Sequence, residues 1–472
     1  MVLAKMISLL NTLSKKKEVI VPSQKGVIKM YSCGPTVYAD AHIGNHRSFI
    51  TADILYRTFI ATGYKVDWVM NITDIDDKTI KSTLDKYGPD ASITDLRAYT
   101  GIFFDNFLDD LRELNISVEN IRFIRVTDVI PEIQKFILNL IKAGYAYKSD
   151  DGSTYFSINK YEEKYSDYGQ LVGESFLNGK KIGTKVNIDE YEKDNISDFV
   201  LWKSHADNDG NIFWDDEVLG RGRPGWHIEC SAINNVAFGG EVTDIHTGGI
   251  DLVFPHHTNE IAQSRPLMKS FVNYWFHSMH MLVDNKKMSK SLGNHITISD
   301  IKKEGLNPLA LRHLVMNSHY GKQSNFTYDA LLASEKSLNN IAKEYLKFSG
   351  SEAPLSARYK DSFLNYIFDD LNTSAALAVV WELINDKELV PSKKISTIRY
   401  FDKILGLDIE KLARNLESSS LDIPEDINKL VSTRDEARSN KDWKLADQLR
   451  EELLSLGFIT EDNEDSTTVK RV

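Results

Sequence analysis

The sequence predicts an α/β protein: a parallel-sheet domain of the doubly wound kind, split by an insertion, then a helical bundle and a small C-terminal unit. Three observations carry this. Val27 to Cys33 reads as a strand, Gly34 to Asn45 as a loop, and His46 to Thr62 as a helix with Phe49, Ala52, Tyr56 and Phe59 at helical spacing before a stop at Gly63. Lys65 to Ile72 gives a second strand, and strand–helix–strand units build parallel sheets. From Tyr328 onward the pattern is mostly helical, with amphipathic segments at Ala330 to Phe348 and Leu371 to Ile384.

Taken in order, residues 1–114 hold the first half of the sheet domain, where Thr73 or Asp74 is placed to cap the helix after the second strand. Over 115–219 the pattern loosens into short aromatic strands and polar loops such as Lys148 to Gly152 and Asp207 to Gly210, which reads as the insertion. Apolar runs with glycine-rich turns resume over 220–282 as the second half of the sheet. A lysine-bearing loop region occupies 283–327, the bundle 328–416, and the last unit 417–472, set off by the polar stretch around Glu417 to Glu425.

A length of 472 residues suits about three domains, and 42% hydrophobic with 26% charged residues is an ordinary globular balance. Met1 to Leu10 lacks a signal-peptide pattern, and no segment approaches the ~20 apolar residues of a membrane span, so a cytoplasmic location without a membrane partner is expected. The net charge of −11 excludes a generally basic nucleic-acid binder but leaves room for local basic clusters. The two cysteines, Cys33 and Cys230, exclude a disulfide framework.

Three constellations carry chemistry. His42-Ile43-Gly44-Asn45 opens a helix after the first strand; helix N-termini attract phosphate, Gly44 admits a nucleotide, and His42 and Asn45 offer donors. Lys287-Met288-Ser289-Lys290-Ser291, followed by Leu292-Gly293-Asn294, sets two lysines on a loop suited to a polyphosphate. Alone, either is also what a capped helix or a solvated basic loop looks like. The third set is Cys33, Cys230 (in Gly225-Trp226-His227-Ile228-Glu229-Cys230), and His256 with Glu260, an i, i+4 pair just after Pro255. Two thiols, an imidazole and a carboxylate are a plausible tetrahedral zinc set, and His257, at i, i+3 to Glu260, stays open as an alternative.

The first two motifs, in this order, resemble the paired signatures of class I aminoacyl-tRNA synthetases, with HIGN here in place of HIGH. Met30 to Tyr38, Asn71 to Asp77, Gly225 to Ala232, Asp244 to Asp251, Phe254 to Ser264 and Lys287 to Asn294 resemble the cysteinyl-tRNA synthetase family throughout, and the likeness covers nearly the whole chain. The resemblance implies a ligase with a Rossmann-type catalytic domain and a C-terminal anticodon-binding unit. Such a ligase activates L-cysteine with ATP and magnesium, and then charges tRNA(Cys). It also implies one zinc on Cys33, Cys230, His256 and Glu260, with His257 outside. Thr73, Trp226 and His246 match the cysteine pocket, and Gly44, Gly249, Asp251 and Lys290 the ATP site. His42, Asn45, Lys287 and Lys290 match the catalytic positions. Arg438, Trp443, Asp447, Arg450 and Asp462 match the anticodon unit. Two departures stand out: Thr247 where the family has a third glycine, and Ser466-Thr467-Thr468-Val469 where it has Gly-Thr-Thr-Trp. A ligase of related fold that joins cysteine to a small amino sugar is the nearest rival, and the C-terminal unit argues against it. A tRNA-binding protein without catalysis is the rival of another class, opposed by the intact metal and lysine motifs.

Overall fold

The computed structural model describes residues 7–173, 182–186, 196–288, 293–350, 353–421, 424–462 and 467–471. Its centre is a five-stranded, all-parallel sheet in the order Val272–Ser278, Thr243–Gly249, Val27–Ser32, Lys65–Ile72, Ile121–Arg125. The strands Val27–Ser32 and Lys65–Ile72 follow the expectation closely. Ile121–Arg125 does not: it pairs with Trp68–Ile72, so the sheet takes in chain beyond residue 114 that was expected in the insertion. Its Ile-Arg-Phe-Ile-Arg sequence suits an edge strand, where arginines keep the open side wet. The insertion proper carries an antiparallel sheet of Gly222–Pro224, Ile196–Ser204, Thr154–Phe156 and Ala146–Lys148, with Ile182–Val186 added in parallel to Ile196–Ser204.

Caps decide where the helices begin. The first helix of the sheet domain, Ile43–Ala61, starts three residues before the expected His46 because His42 caps it. The helix Asp77–Tyr87 is capped by Asp76 rather than by Thr73 or Asp74. Asp74 instead accepts the Thr127 amide at 3.0 Å and its hydroxyl at 2.6 Å. In the bundle, Thr327 caps Tyr328–Leu346 and Asn372 caps Thr373–Asn385, which places both helices two residues from the expected starts.

The bundle and the parallel sheet share one apolar core. Ile50, Leu55 and Phe59 of the first helix belong to the same buried cluster as Phe363 and Phe401, whose rings stack at 4.1 Å. A polar clamp lies within it. Arg312, fully buried, donates to the Leu405 carbonyl at 2.7 Å, the Leu114 carbonyl at 3.0 Å and the buried Asp53 carboxylate at 2.5 Å. The C-terminal unit is separate in this respect. Its helices Glu425–Ser439 and Trp443–Ser455 and hairpin Phe458–Asp462/Thr467–Arg471 close around Ile427, Leu453 and Phe458. Among the described residues no helix is long and apolar enough to cross a membrane.

Without Arg312 the Leu405 and Leu114 carbonyls lose this buried donor, and the buried Asp53 carboxylate keeps Arg57 alone, at 2.7 Å. Arg312→Ala should therefore lower the unfolding free energy by about 3–5 kcal/mol, read as a fall in the urea midpoint. A midpoint equal to the parent's would show that the Arg312 clamp, which joins Leu405 of the bundle to Asp53 of the first helix, does not hold the two together.

Candidate active site and metal centre

The strand Val27–Ser32 delivers Cys33 at its carboxyl end, between Thr243–Gly249 on one side and Lys65–Ile72 on the other. This is where the strand order reverses, and the crevice there is where open α/β sheets hold ligands. Gly34 has to be glycine, since a side chain would strike the Asn71 backbone; its amide donates to Asn71 Oδ1 at 2.9 Å. At the far end of the loop the Asn45 amide donates to His42 Nδ1 at 3.2 Å, and the His42 amide donates to Asn45 Oδ1 at 3.2 Å. With Nδ1 accepting, the neutral His42 ring carries its proton on Nε2. Burial, then His295 and His46, push His42 down to about 4, so it is a neutral donor at physiological pH.

A cleft of about 280 Å³ opens here, lined by His42, Gly44, Asn45, Gly249, Asp251 and Lys287 among others. Asp251 stands 3.9 Å from His280, also in the lining. Thr247, in place of a third glycine, keeps its side chain buried against Ser32, Oγ to Oγ at 2.6 Å. Lys287 is tied at its carbonyl by Asn294 Nδ2 at 3.2 Å, and Met288 packs where a side chain on Gly44 would have to go. Lys290 lies outside the described residues.

Cys33 and Cys230 are free thiols with sulfurs 3.7 Å apart. His256 Nε2 lies 3.4 Å from Cys230 Sγ and 3.1 Å from Glu260 Oε1, which is 3.8 Å from Cys33 Sγ. Donors bound tetrahedrally at zinc distances stand about 3.3–3.8 Å from one another, so this set fits the ion. A second grouping shares two of its members: Cys33, His246, His257 and Glu260. His257 Nε2 comes within 3.2 Å of Cys33 Sγ, so proximity alone does not leave it outside as the resemblance does. Burial opposes charge throughout the cluster. Even so, the Cys33 sulfur and His256 bring Cys230 down to about 6, while Cys230 and Glu260 lift His256 to about 10. Against the same burial, His246 and His256 hold Glu260 down to about 2.

The residues around this set orient it. His227 Nδ1 lies 3.1 Å from His256 Nδ1, and Trp226 stacks on the His256 ring at 4.4 Å. His257 Nδ1 meets His277 Nε2 at 2.7 Å, and His277 Nδ1 meets the Thr12 hydroxyl at 2.7 Å. Sequence reasoning missed His227 and His277. His227 had a signal: it precedes Cys230 by three residues on the helix Trp226–Ala237, on the same face. Of the residues expected around cysteine, Trp226 lines the cleft beside Cys33. His246 is enclosed, with Nε2 3.0 Å from Glu260 Oε2, and the buried Thr73 hydroxyl donates to Glu229 at 3.0 Å.

In the C-terminal unit Trp443 is 61% exposed, and Asp447 and Arg450 are exposed on the same helix. Asp462, expected as an anticodon contact, is held in an ion pair: its carboxylate accepts from the buried Arg434 at 3.0 Å and lies 3.3 Å from Arg438. Arg434 needs that partner because the fold encloses its guanidinium.

Comparison with known proteins agrees with this arrangement. Residues 19–336 match the family model of the class I (C) tRNA synthetase catalytic domain, and residues 420–469 match that of the cysteinyl-tRNA ligase anticodon binding domain. The cysteine–tRNA ligase of Chlamydia muridarum is 40% identical over 98% of this chain and 99% of that protein. The cysteine–tRNA ligase of Leptospira interrogans is 40% identical over 96% of this chain and 97% of its own. Among solved structures, methionyl-tRNA synthetase of Mycobacterium tuberculosis, bound by methionyl-adenylate, superposes with a TM-score of 0.55 at 14% identity. That match covers 82% of this chain and 93% of the other. LeuRS of Agrobacterium radiobacter K84, in a ternary complex with tRNA and LeuAMS, gives 0.57 at 11% identity, over 84% and 86%. These two share the fold alone. With one model spanning most of the chain and relatives matching it end to end, the chain belongs to the cysteinyl-tRNA synthetase family of class I.

Proposed function

We propose that the chain activates L-cysteine with ATP, giving cysteinyl-adenylate and pyrophosphate, and transfers cysteine to the 3′ end of tRNA(Cys). The observation that carries this reading is the donor set Cys33, Cys230, His256 and Glu260, whose Cys33 also lines the cleft shared with His42, Asn45 and Lys287. Those four residues would hold the zinc that the family implies. When bound there, zinc supplies a soft centre that favours a thiolate over the hydroxyl of serine, a near-isostere that shape alone rejects by only about 1–3 kcal/mol.

The chain's own groups do the rest. Trp226 walls the cysteine side of the cleft, and the buried His227 and His246 orient the donor set. The cysteine carboxylate attacks the α-phosphate of ATP in line. His42, as a neutral Nε2–H donor, meets the phosphates with Asn45 and the lysines Lys287 and Lys290, where charge grows during displacement. Gly44 and Gly249 let the nucleotide approach the backbone, and Asp251 accepts ribose hydroxyls. Asp251 is the only carboxylate among the described cleft residues, so magnesium would arrive on the nucleotide's phosphates rather than at a site of its own. In the C-terminal unit Trp443 offers an exposed face for an anticodon base, with Arg438 on the preceding helix and Asp447 and Arg450 exposed on the same helix as Trp443.

Cysteine-dependent pyrophosphate exchange followed by tRNA charging tests the whole reading. Exchange without charging would favour the small-molecule ligase instead. Cys230→Ser should lose zinc and cysteine activation together, because a hard hydroxyl replaces a soft thiolate; elemental analysis of freshly purified protein is the check. Full zinc content in that variant would reassign the metal to the grouping with His246 and His257.

Trp443→Ala removes an exposed side chain and so should fold normally. It should weaken tRNA charging through kcat/KM by about 1–3 kcal/mol while exchange stays at the parent rate. Equal charging by variant and parent would mean that Trp443 reads no base.

A further inference from the structure

The lysine loop and the phosphate-facing helix are joined through their backbones. The Ile43 amide donates to the Ile296 carbonyl at 2.9 Å, and His42 pairs with Thr297 in an antiparallel bridge. Between Asn294, which holds Lys287, and Ile296, which holds Ile43, sits His295. Its half-buried ring lies edge-on to His42, with centroids 5.0 Å apart and planes at 88°.

We propose that His295 is a positioning residue of the nucleotide site: its ring fixes the plane of the His42 imidazole so that the Nε2–H stays directed into the cleft while the lysine loop is engaged. The proposal rests on the ATP-activation reading above. The Asn45 amide meets the His42 ring at Nδ1 at 3.2 Å, the long end of the hydrogen-bond range, so by itself it restrains rotation about the Cβ–Cγ bond only weakly. Gly44 closes one side, since a Cβ there would come within 3.0 Å of His42 Nδ1 and Cε1. An edge-on aromatic contact is directional and closes another. Asn45 adds no second imidazole, and its Oδ1 is taken by the His42 amide. His295 is therefore the ring in van der Waals range that belongs to the lysine motif's own segment. Because it lies one residue from Asn294 and one from Ile296, any shift of the chain there moves this contact too, so Lys287 and the imidazole are presented together.

The charged and titratable groups facing His42 are His295, His46 and Asp251; burial and the two histidines favour the neutral ring, and Asp251 acts the other way. Keeping that ring neutral and in one tautomer is what makes it a dependable donor to phosphate oxygen.

The test compares the unsubstituted chain with His295→Ala and His295→Phe, the second of which keeps a ring but no nitrogen. Two readouts are taken: steady-state cysteine-dependent pyrophosphate exchange, and the His42 tautomer by long-range 1H–15N correlation on histidine-labelled protein, assigned with His42→Ala. For His295→Ala the kcat of exchange should fall roughly ten- to hundredfold, the loss expected of a misdirected catalytic group, with KM for cysteine unchanged. The His42 signal should pass from a single Nε2–H form to a mixture. His295→Phe should restore both, and zinc content should be equal in all three. Parent kcat in His295→Ala, or an unaltered His42 signal, would overturn the proposal, as would His295→Phe as slow as His295→Ala. Absence of exchange in the unsubstituted chain would reject the functional reading, and the His42 tautomer would then decide the proposal alone.

Discussion

Enclosing the Glu260 carboxylate is the constraint to which the catalytic half answers. A carboxylate shut away from water sheds its charge unless it is met from several sides. Here His246 comes from the strand Thr243–Gly249, His256 from Glu260's own helix, and Cys33 from the end of Val27–Ser32. Each of those groups is itself enclosed and needs a partner in turn. His227 supplies one from the helix Trp226–Ala237, and His277, reached through His257, brings in the strand Val272–Ser278. The chain of obligations runs outward until it reaches Thr12, near the N-terminus. Buried polar networks of this kind specify a structure only when every member is satisfied. A metal ion held by the two thiols would complete that satisfaction, and the site and the fold around it would then depend on each other.

The motifs at His42 and Lys287 are likewise one object. They are separated by about 240 residues in sequence, yet Met288 lies over Gly44 and the backbone after Asn294 is hydrogen-bonded to the helix that His42 caps. Arg47 reinforces this: fully enclosed, it donates to the His280 and Lys322 carbonyls at 2.5 Å each, tying the first helix to both segments flanking the lysine loop. Burial brings that guanidinium down to about 10, still far above physiological pH, so the clamp stays charged.

Much of this was legible before any coordinates. The strands Val27–Ser32 and Lys65–Ile72 were readable because apolar runs bounded by glycine and turn residues have few alternatives. The two cysteines stood out because they are so scarce, whereas His256 rather than His257 as their partner came from the family resemblance, and the structure brings both imidazoles to the thiols. Apart from His227, what escaped had no local signature. Ile121–Arg125 is short and half charged, and only its pairing partner makes it part of the sheet. His277 looks like any core histidine until the His257 ring is placed beside it. Asp462 matched a family position, but its pairing with Arg434 depends on how the hairpin folds over the helix Glu425–Ser439, which residue spacing does not encode. The Arg312 clamp joins residues 259 apart in sequence, beyond the reach of any periodicity.

The division of the apolar interior sets where this chain can be cut and rejoined. Because the bundle from Tyr328 shares a core with the parallel sheet, a chimera spliced at that point would expose matched hydrophobic faces on both halves and aggregate. The helices and hairpin from Glu425 carry their own small core around Ile427, Leu453 and Phe458, so they form the natural cassette. Exchanging that cassette between relatives would leave the shared core of sheet and bundle in the recipient unbroken.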